Sequence, residues 1–376
     1  MTTPIIYLDN AATTKPLPSV AESMSLYLES GYGNPNSTHG IGKEARAAVD
    51  IAKKEVADLI GAEPGQIRFA PSGTTANRMV LNAFPIRRIA VSSVEHKSVL
   101  DEVPASGIMK ILGTKRYLDG SDVESHILMH GKPDLVSVMT VNNETGIVND
   151  VKSIGAAARF AGAMFHTDAT AAAGSIPIDV DEIGCDFLTF SAHKLHGPKG
   201  IAAIYDRSGL LSDLPYAGTE NVPAIVGFGE ACRAAKGELD RMKGEYRFDA
   251  DADYDTLASA FLSGVASECE EGVNYLRLDE FRHLKKIITV VCENVDAETL
   301  VLLCSERGLM VSAGAACESH EKKPSHVLTA IGLDENLARS AIRISFSRFT
   351  GEGEAYRGGA ILGTCARLLR ETPDFA

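Results

Sequence analysis

The sequence predicts an α/β protein in which a large domain, with a mainly parallel sheet covered by helices, is followed by a smaller α/β domain. Between residues 67 and 205, short apolar runs alternate with amphipathic helical patterns, which is typical of a parallel sheet with helices on both faces. Beyond Tyr205 the pattern changes to loop-like and acidic segments, and then to a new strand, helix and strand. We therefore expect a large domain over residues 12–240 and a small domain over residues 241–376 that also contains residues 1–11.

The individual elements follow from the spacing of apolar residues. Residues 44–59 predict a helix, because Ala45, Val49 and Val56 recur at helical spacing with charged residues between them. Apolar runs predict strands at residues 67–70, 89–92, 135–141, 163–166, 187–190, 201–205, 287–292 and 342–346. Further helical patterns lie at residues 153–161, 224–236 and 297–307. The acidic segment 240–280 is expected to be a solvated face rather than a docking surface.

Composition and charge exclude several classes of protein. The chain of 376 residues is 45% hydrophobic and 23% charged, which is ordinary for globular proteins and excludes collagen, coiled coil and extensive disorder. No apolar run approaches the roughly 20 residues that cross a bilayer, and the first residues do not read as a secretory signal. We therefore expect a cytoplasmic protein without membrane contact. The net charge of -13 repels phosphate backbones and argues against direct nucleic-acid binding.

The seven cysteines form neither a disulfide framework nor a metal site. Their number is odd and no two of them make a C-x-x-C pair, so we expect no bound metal. Most are expected to be reduced thiols that pack as small hydrophobic side chains. Cys317 is the exception, because small residues precede it and polar residues follow it, a pattern that favours a loop.

Polar residues follow the predicted strands directly, and this is where open parallel sheets bind ligands. The stretch 72–75, Ser-Gly-Thr-Thr, comes after the strand 67–70 and opens a helix. Free N–H groups at a helix start attract an anion such as phosphate, whereas the alternative is an ordinary turn with a Thr cap. Asp168 follows the strand 163–166. Its carboxylate either pairs with a cationic ring nitrogen or, as is commoner for an isolated aspartate, caps the next helix.

A lysine follows the strand 187–190 in the stretch Ser-Ala-His-Lys that ends at Lys194, before a Gly-Pro turn. Burial beside polar groups lowers the pKa of an amine, so that it reacts with an aldehyde. An isolated lysine is more often an ordinary surface residue. Here the anion-binding stretch, Asp168 and Lys194 occur in this order along one sheet. Together they predict pyridoxal 5'-phosphate (PLP), held at its phosphate, its ring nitrogen and its aldehyde.

The chain resembles the cysteine desulfurases of the NifS/IscS type, in the class V branch of the aminotransferase-like, fold type I PLP enzymes. The resemblance covers nearly the whole chain and is weakest in residues 240–290. It rests on the stretches 7–14, 33–39, 72–75, 95–97, 141–144, 168–170, 191–194, 218–219 and 342–343.

The resemblance implies a set of roles. Lys194 would hold the cofactor and move the alpha proton of the substrate, and His96 would stack on the ring and take part in proton transfer. Asn143 and Arg343 would bind the carboxylate of the substrate, for which a guanidinium fork is well shaped. The cofactor-binding residues would be Thr74, Thr75, Asp168, Ser191, His193, Lys194 and, from the second subunit of a homodimer, Thr219.

The resemblance further implies that Cys317 is the catalytic cysteine. Its thiolate would attack the sulfur of cofactor-bound L-cysteine, leaving L-alanine and a persulfide, and an acceptor protein would take the sulfur for iron–sulfur cluster assembly or thiolation. Two alternatives stay open. One is a class V lyase or aminotransferase for another amino acid, selenocysteine included, in which Cys317 is incidental. The other is a catalytically decayed binding partner.

The chain departs from the family pattern at several places, including the usual Pro-Asn-Thr-Leu-Asn-Val stretch of the small domain, which is hard to find near residues 284–291. The family usually has Gln where this chain has Ala171, so the electronic tuning of the cofactor is expected to differ. The family usually has an Arg shortly before the residues that correspond to Gly218 and Thr219, and this chain has none there. The part of the site that the second subunit supplies is therefore expected to differ. The usual Ser-Gly-Ala-Thr-Glu-Ser-Asn reads Ser-Gly-Thr-Thr-Ala-Asn-Arg over residues 72–78. These departures predict a divergent member.

Overall fold

The computed structural model describes most of the chain. The described residues are 4–83, 88–102, 108–111, 117–211, 218–242, 252–269, 271–276, 282–314 and 324–372. Cys317 lies outside them.

Strands and helices alternate along the described chain, as the sequence predicts. The strands are β1 (Ile6–Tyr7), β2 (Ile67–Ala70), β3 (Ile89–Ser92), β4 (Ile108–Ile111), β5 (Leu135–Ser137), β6 (Met164–Asp168), β7 (Phe187–Ser191), β8 (Ala202–Asp206), β9 (Val273–Tyr275), β10 (Ile287–Cys292), β11 (Leu309–Met310) and β12 (Ala341–Ser345). The helices are α1 (Pro18–Glu29), α2 (Gly40–Ile60), α3 (Gly73–Leu81), α4 (Lys97–Leu100), α5 (Gly120–His130), α6 (Val151–Phe160), α7 (Val180–Ile183), α8 (Val222–Met242), α9 (Ala252–Glu268), α10 (Ala297–Glu306), α11 (His326–Ala330), α12 (Glu335–Arg339) and α13 (Glu352–Glu371).

The central sheet confirms the predicted fold class. Its strand order is β2-β8-β7-β6-β5-β3-β4. β8 runs antiparallel to both of its neighbours, and the other neighbouring strands are parallel to each other. The carboxyl ends of β2, β7, β6, β5 and β3 therefore lie at one edge of the sheet, where such sheets bind ligands.

Apolar side chains form two main cores. The larger core covers the central sheet and contains Phe190 and Phe228, whose ring centroids are 5.3 Å apart. The second core lies around β10, β12, α9 and α13, where Phe261 and Phe346 pack with ring centroids 6.3 Å apart. Leu8 from the N-terminal segment belongs to this second core. This distribution supports the division into residues 12–240 and 241–376 with 1–11, which we keep as a proposal.

The N-terminal segment connects the second core to the central sheet. β1 pairs in parallel with β11, and Asn10 Nδ2 donates a hydrogen bond of 2.8 Å to the carbonyl of Ser345. A few residues later, the backbone N–H of Thr14 donates to the carbonyl of His193 at 2.9 Å. We call residues 6–15 the N-terminal strap, because they bind to both parts of the molecule.

The structure corrects the sequence analysis in the acidic segment 240–280. α9 was not predicted, yet Leu257, Phe261 and Val265 are buried along one side of it and belong to the second core. The segment is therefore not simply a solvated face. The short strand β4 was also missed, and the predicted strand 135–141 ends earlier, at Ser137. None of the described helices combines the length and the apolar character needed to cross a membrane.

Candidate active site

A cavity of about 530 Å³ lies at the carboxyl edge of the central sheet. Most of the site residues predicted from the sequence contribute to its wall. They are Thr74, His96, Asn143, Asp168, Ser191, His193 and Lys194. They come from the ends of five different strands, and the parallel topology brings them together.

One end of the cavity is formed by the start of α3. Ser72 caps this helix, since its Oγ accepts a hydrogen bond of 3.1 Å from the N–H of Thr75. The next residue, Gly73, lies so close to Ser191 that a Cβ there would be 2.4 Å from Ser191 Oγ. The start of α3 and the Ser191 hydroxyl therefore lie side by side and border one small polar space of the cavity. Such a space suits a phosphate group.

Asp168 is an acidic residue of the cavity wall. It ends β6 and is buried. Its Oδ1 accepts from the N–H of Thr170, and its Oδ2 accepts from Nδ2 of Asn77, both at 2.9 Å. Two donors fix the orientation of the carboxylate, whose oxygens can also accept from a protonated ring nitrogen.

Lys194 ends a short 3-10 turn that follows β7. Its Nζ donates to the backbone carbonyl oxygens of Ala11 and Ala12 in the N-terminal strap, at 2.8 Å for Ala12. The turn continues to His196, a non-glycine residue in the left-handed region with φ of 64°. The N–H of His196 donates to Thr14 Oγ1 at 2.8 Å. The strap therefore holds the lysine turn on both sides of Lys194.

Burial keeps two histidines of the cavity neutral near pH 7. It lowers the pKa of His193 to about 4, with a smaller contribution from the positive charge of Lys194. Burial also lowers the pKa of His96, and nearby Asp168 opposes this shift. His193 Nδ1 lies 3.1 Å from Thr13 Oγ1, so its ring is fixed by the strap as well.

Next to His96, the fully buried Glu95 is held in its protonated form. Burial raises the pKa of its carboxyl to about 8. Its Oε1 accepts from the Ser92 hydroxyl at 2.5 Å and from the N–H of Met139 at 2.8 Å. Glu95 therefore adds no negative charge next to His96 near neutral pH.

Three of the predicted residues lie outside the described cavity lining. Thr75 faces its own helix cap, with Oγ1 3.0 Å from Ser72 Oγ. Thr219 is exposed, just before α8. Arg343 is buried behind the wall, where Nη2 donates to Asp9 Oδ1 at 2.9 Å and Nη1 to the carbonyl of Asn143 at 3.3 Å. Cys317 is the remaining predicted residue and is outside the described residues.

The six described cysteines are buried and free. Burial raises the pKa of both Cys185 and Cys292 to about 12. Such thiols stay protonated near neutral pH, so they are poor nucleophiles.

The groups of the cavity fit PLP. An anion-binding helix start and a hydroxyl could hold the phosphate, the Asp168 carboxylate could bind the ring nitrogen, and the Lys194 amine could bind the aldehyde. At Gly73, any side chain would collide with Ser191, so the polar space depends on the absence of a Cβ. Ala171, where the family usually has Gln, also lines the cavity.

The model of the family described as "Aminotransferase class-V" matches residues 6–216 and 216–355. The chain belongs to this family. Among curated relatives, it is 37% identical to cysteine desulfurase IscS of Pectobacterium carotovorum subsp. carotovorum (strain PC1), over 93% of this chain and 89% of the relative. It is 36% identical to cysteine desulfurase IscS of Salmonella newport (strain SL254), with the same coverage. Class V enzymes of this kind use PLP.

Solved structures agree with this assignment of the class V chain. A NifS-like protein superposes with a TM-score of 0.82 at 28% identity, covering 98% of this chain and 100% of the other. The structure described as SspA in complex with cysteine has a TM-score of 0.75 at 29% identity, covering 92% and 99%. The fold type I architecture therefore applies to nearly the whole chain.

Sequence reasoning missed two polar residues of the site. Asn77 and Ser98 are buried within hydrogen-bonding distance of Asp168 and His96. The signal for Asn77 was present, because it lies in the stretch 72–78 that departs from the family pattern. Nothing local marks Ser98, because its contact with Asn77 joins residues 21 positions apart in the chain.

Proposed function

We propose that this protein is a PLP-dependent cysteine desulfurase that converts L-cysteine to L-alanine and transfers the sulfur to Cys317 as a persulfide. The proposal rests on one observation above all. Lys194, Asp168 and the start of α3 share one cavity, in a chain that is 37% identical to a cysteine desulfurase over 93% of its length. A related structure in complex with cysteine supports the same substrate.

Different residues around the cavity bind the cofactor and transfer protons. When bound, PLP supplies an electron sink for the charge that develops at the alpha carbon of the substrate. Asp168 would bind the ring nitrogen of PLP, and Ser191, His193 and the start of α3 would bind its phosphate. The amine of Lys194 takes the alpha proton and returns a proton to the product.

The carboxylate of the substrate is bound near Asn143 and Arg343. The backbone carbonyl of Asn143 accepts from Arg343, so the two residues already form one unit. Nη2 of Arg343 is paired with Asp9, and its Nε has no hydrogen-bond partner within the described residues. A substrate carboxylate would complete the hydrogen bonding of this guanidinium group.

Sulfur transfer requires a nucleophilic cysteine, and Cys317 is the proposed residue. Its thiolate attacks the sulfur of the substrate, so that an S–S bond forms while the C–S bond breaks. The electron pair of the broken bond stays with the carbon fragment, which takes up a proton and becomes alanine. The raised pKa values of the buried Cys185 and Cys292 support a cysteine elsewhere in the chain.

Sulfide and alanine release from L-cysteine, with a thiol reductant present, tests the proposal. The wild type is expected to release both in equal amounts. The Cys317→Ser variant should lose at least about 100-fold of both activities, because it lacks the nucleophile, while its cofactor absorbance is retained. Cys269→Ser is the matched control, since Cys269 lies beside Arg370 and outside the described cavity lining.

Two outcomes would contradict the proposal. Full alanine production by Cys317→Ser would mean that this cysteine is not the sulfur acceptor. A wild type that binds the cofactor but releases neither product would point to a different amino-acid substrate.

We further propose a homodimer in which Thr219 serves the cavity of the partner subunit. Thr219 is exposed and precedes α8, the helix on which α1 and α2 both pack. Large apolar side chains are exposed in this region, including Leu28 (66%), Tyr32 (72%) and Ile51 (63%). Exposed apolar groups of this size favour a protein interface.

The dimer is tested by light scattering. The Ile51→Glu variant is expected to shift the protein toward monomer, because a buried, unpaired charge is unfavourable in an interface. Leu128→Glu is the matched control, since Leu128 on α5 is also exposed (87%). A wild type that is monomeric at micromolar concentration, or equal effects of both variants, would argue against this interface.

The persulfide sulfur is proposed to pass to an acceptor protein, for iron–sulfur cluster assembly or thiolation. The IscS names of the curated relatives support this use, and the cytoplasm is the proposed location.

A further inference from the structure

We propose that Asn77 and Ser98 form a positioning pair that joins His96 to Asp168 and fixes His96 as the neutral tautomer with its proton on Nε2. The inference deepens the proposed function, because it concerns residues of the same cavity. It makes His96 a hydrogen-bond donor toward the cavity rather than a base.

The pair lies between the two residues that it connects. Asn77 on α3 is 1% exposed and Ser98 on α4 is 7% exposed. Nδ2 of Asn77 donates one hydrogen bond to Asp168 Oδ2 and a second to Ser98 Oγ, each 2.9 Å long. Ser98 Oγ in turn lies 2.8 Å from His96 Nδ1. A continuous path of hydrogen bonds therefore runs from Asp168 to His96.

The chemistry of the groups fixes the direction of each hydrogen bond. The Asp168 carboxylate only accepts, so the NH₂ group of Asn77 faces it and uses its second proton on Ser98 Oγ. Ser98 Oγ thus accepts from Asn77 and has its own proton left for His96 Nδ1. The backbone N–H of Ser98 also donates to Nδ1, at 3.1 Å. With two donors directed at it, Nδ1 carries no proton.

The hydrogen bonds that reach Asn77 from Thr189 and His166 also have fixed directions. Thr189 donates from its hydroxyl to Asn77 Oδ1 at 2.6 Å. Its oxygen must then accept from His166 Nε2, which lies 3.1 Å away. Burial lowers the pKa of His166 to about 4, so its ring has one proton, and Nδ1 accepts from the Ser137 hydroxyl at 2.8 Å. Reversing the direction of any single hydrogen bond in this path would place two donors or two acceptors opposite each other.

The consequence for His96 is a defined chemical role. His96 lines the cavity, and within the described part of the chain its Nε2 has no hydrogen-bond partner. Because Nδ1 is occupied by donors, Nε2 carries the N–H. His96 therefore offers a hydrogen bond to an electron-rich oxygen or sulfur atom in the cavity, and it does not take a proton at Nε2.

Asn77 is the residue that makes this arrangement possible. Its Nδ2 donates to Asp168 Oδ2 and to Ser98 Oγ, each at 2.9 Å. A serine hydroxyl has one proton and could not donate to Asp168 and Ser98 at the same time. The amide of Asn77 has two protons directed to different partners, so it can connect Asp168 with Ser98.

The tautomer is measured directly by ¹⁵N NMR of histidine-labelled protein prepared without cofactor. His96→Gln identifies the signal of His96. The expected result is a protonated Nε2 and an unprotonated Nδ1 in the wild type. A protonated Nδ1 would overturn the proposal. This readout requires no turnover, so it stands or fails independently of the desulfurase activity.

Titration of the same signal tests the pair. Four charged or titratable groups act on the pKa of His96, namely Asp168, Asp101, Lys194 and His326, and the variants leave all of them in place. Ser98→Ala and Asn77→Ala are both expected to raise the pKa of His96. Ser98→Ala removes the hydroxyl that donates to Nδ1, and Asn77→Ala removes the donor that orients this hydroxyl, so in both variants the neutral form of His96 is less favoured. An unchanged pKa in both folded variants would overturn the proposal.

A kinetic measurement separates positioning from a merely structural role. In the cofactor-loaded enzyme, Ser98→Ala is expected to lower kcat about tenfold, the change that corresponds to the loss of one hydrogen bond, with KM little changed. Thr140→Val is the control, because it removes an equally buried hydrogen bond of 2.8 Å to Thr167 that lies outside the path. Equal losses in both variants would mean that the pair acts only through stability.

Discussion

Burial acts in opposite directions on the two neighbouring titratable residues that precede α4. It raises the pKa of Glu95 to about 8 and lowers the pKa of His96. In both cases the neutral form is favoured, because a low-dielectric environment disfavours charge of either sign. Asp168 differs from Glu95 in its surroundings, since both of its carboxylate oxygens accept hydrogen bonds, from Asn77 and Thr170.

Glu95→Gln is expected to stabilise the protein increasingly as the pH rises. The pKa of Glu95 is about 8 in the folded state against 4.5 as the ordinary value, so the folded state holds the proton more tightly. The contribution of Glu95 to the free energy of unfolding is fully present below its ordinary pKa and is lost as the pH rises through about 8. A glutamine keeps the neutral form at every pH.

Urea unfolding of both proteins at about pH 6 and about pH 9 checks this prediction. The unfolding free energy of Glu95→Gln, relative to that of the wild type, should be larger at the higher pH. A difference that does not change with pH would show that Glu95 ionises normally in the folded protein.

Site residues were predictable where the chain itself marks them. Asp168 and Lys194 each follow a strongly apolar run, and the parallel topology brings such positions to one edge. The roles of Asn77 and Ser98 are harder to predict, because Asn77 contacts residues that are 91 and 21 positions away in the chain, Asp168 and Ser98. Polar residues that are buried by long-range contacts cannot be found from local patterns.

At the scale of elements, glycines allow α9 and α13 to approach each other closely. A Cβ on Gly359 of α13 would lie 1.9 Å from the carbonyl oxygen of Phe261 in α9, and a Cβ on Gly264 of α9 would lie 2.0 Å from that of Tyr356. These are backbone atoms, which cannot move aside independently. The packing of α9 on α13 therefore requires glycine at both positions.

Gly359→Ala is expected to destabilise the protein by about 1–3 kcal/mol, because the helices would have to separate. Gly237→Ala is the matched control on α8, where a Cβ meets nothing within 4 Å. That change should stabilise the protein by up to about 1 kcal/mol through helix propensity. Thermal or urea unfolding distinguishes the two, and changes of the same sign would contradict the packing explanation.

The accuracy of the element predictions depended on the strength of the apolar pattern. The runs at 67–70, 89–92 and 287–292 coincide with β2, β3 and β10. α9 was missed because acidic residues around it dominated the composition, although Leu257, Phe261 and Val265 recur every four residues. β4 was missed because its short run contains Lys110.

For the molecule as a whole, buried histidines predict sensitivity to acid. Burial lowers the pKa of His166, His193 and His196 to about 4 each, against the ordinary value of 6.5. The unfolded chain therefore binds more protons than the folded protein between these values. Stability should fall as the pH decreases from about 6.5 to about 4.

Urea unfolding across this range measures the loss. The Thr140→Val variant, which leaves all three histidines in place, should have the same slope of stability against pH as the wild type. A wild type whose stability is constant between about pH 6.5 and about pH 4 would contradict the prediction.

The N-terminal strap has a consequence for the synthesis of the protein. Asn10 leaves the ribosome early, whereas its partner Ser345 is 335 residues later in the chain. At usual rates of translation, Ser345 is synthesised on the order of tens of seconds after Asn10. Ser345 and Phe346 also line the cavity. Lys194 is therefore made well before the wall that surrounds it. The cofactor pocket closes only on a nearly finished chain, so that a prematurely terminated protein carries the lysine without a complete site.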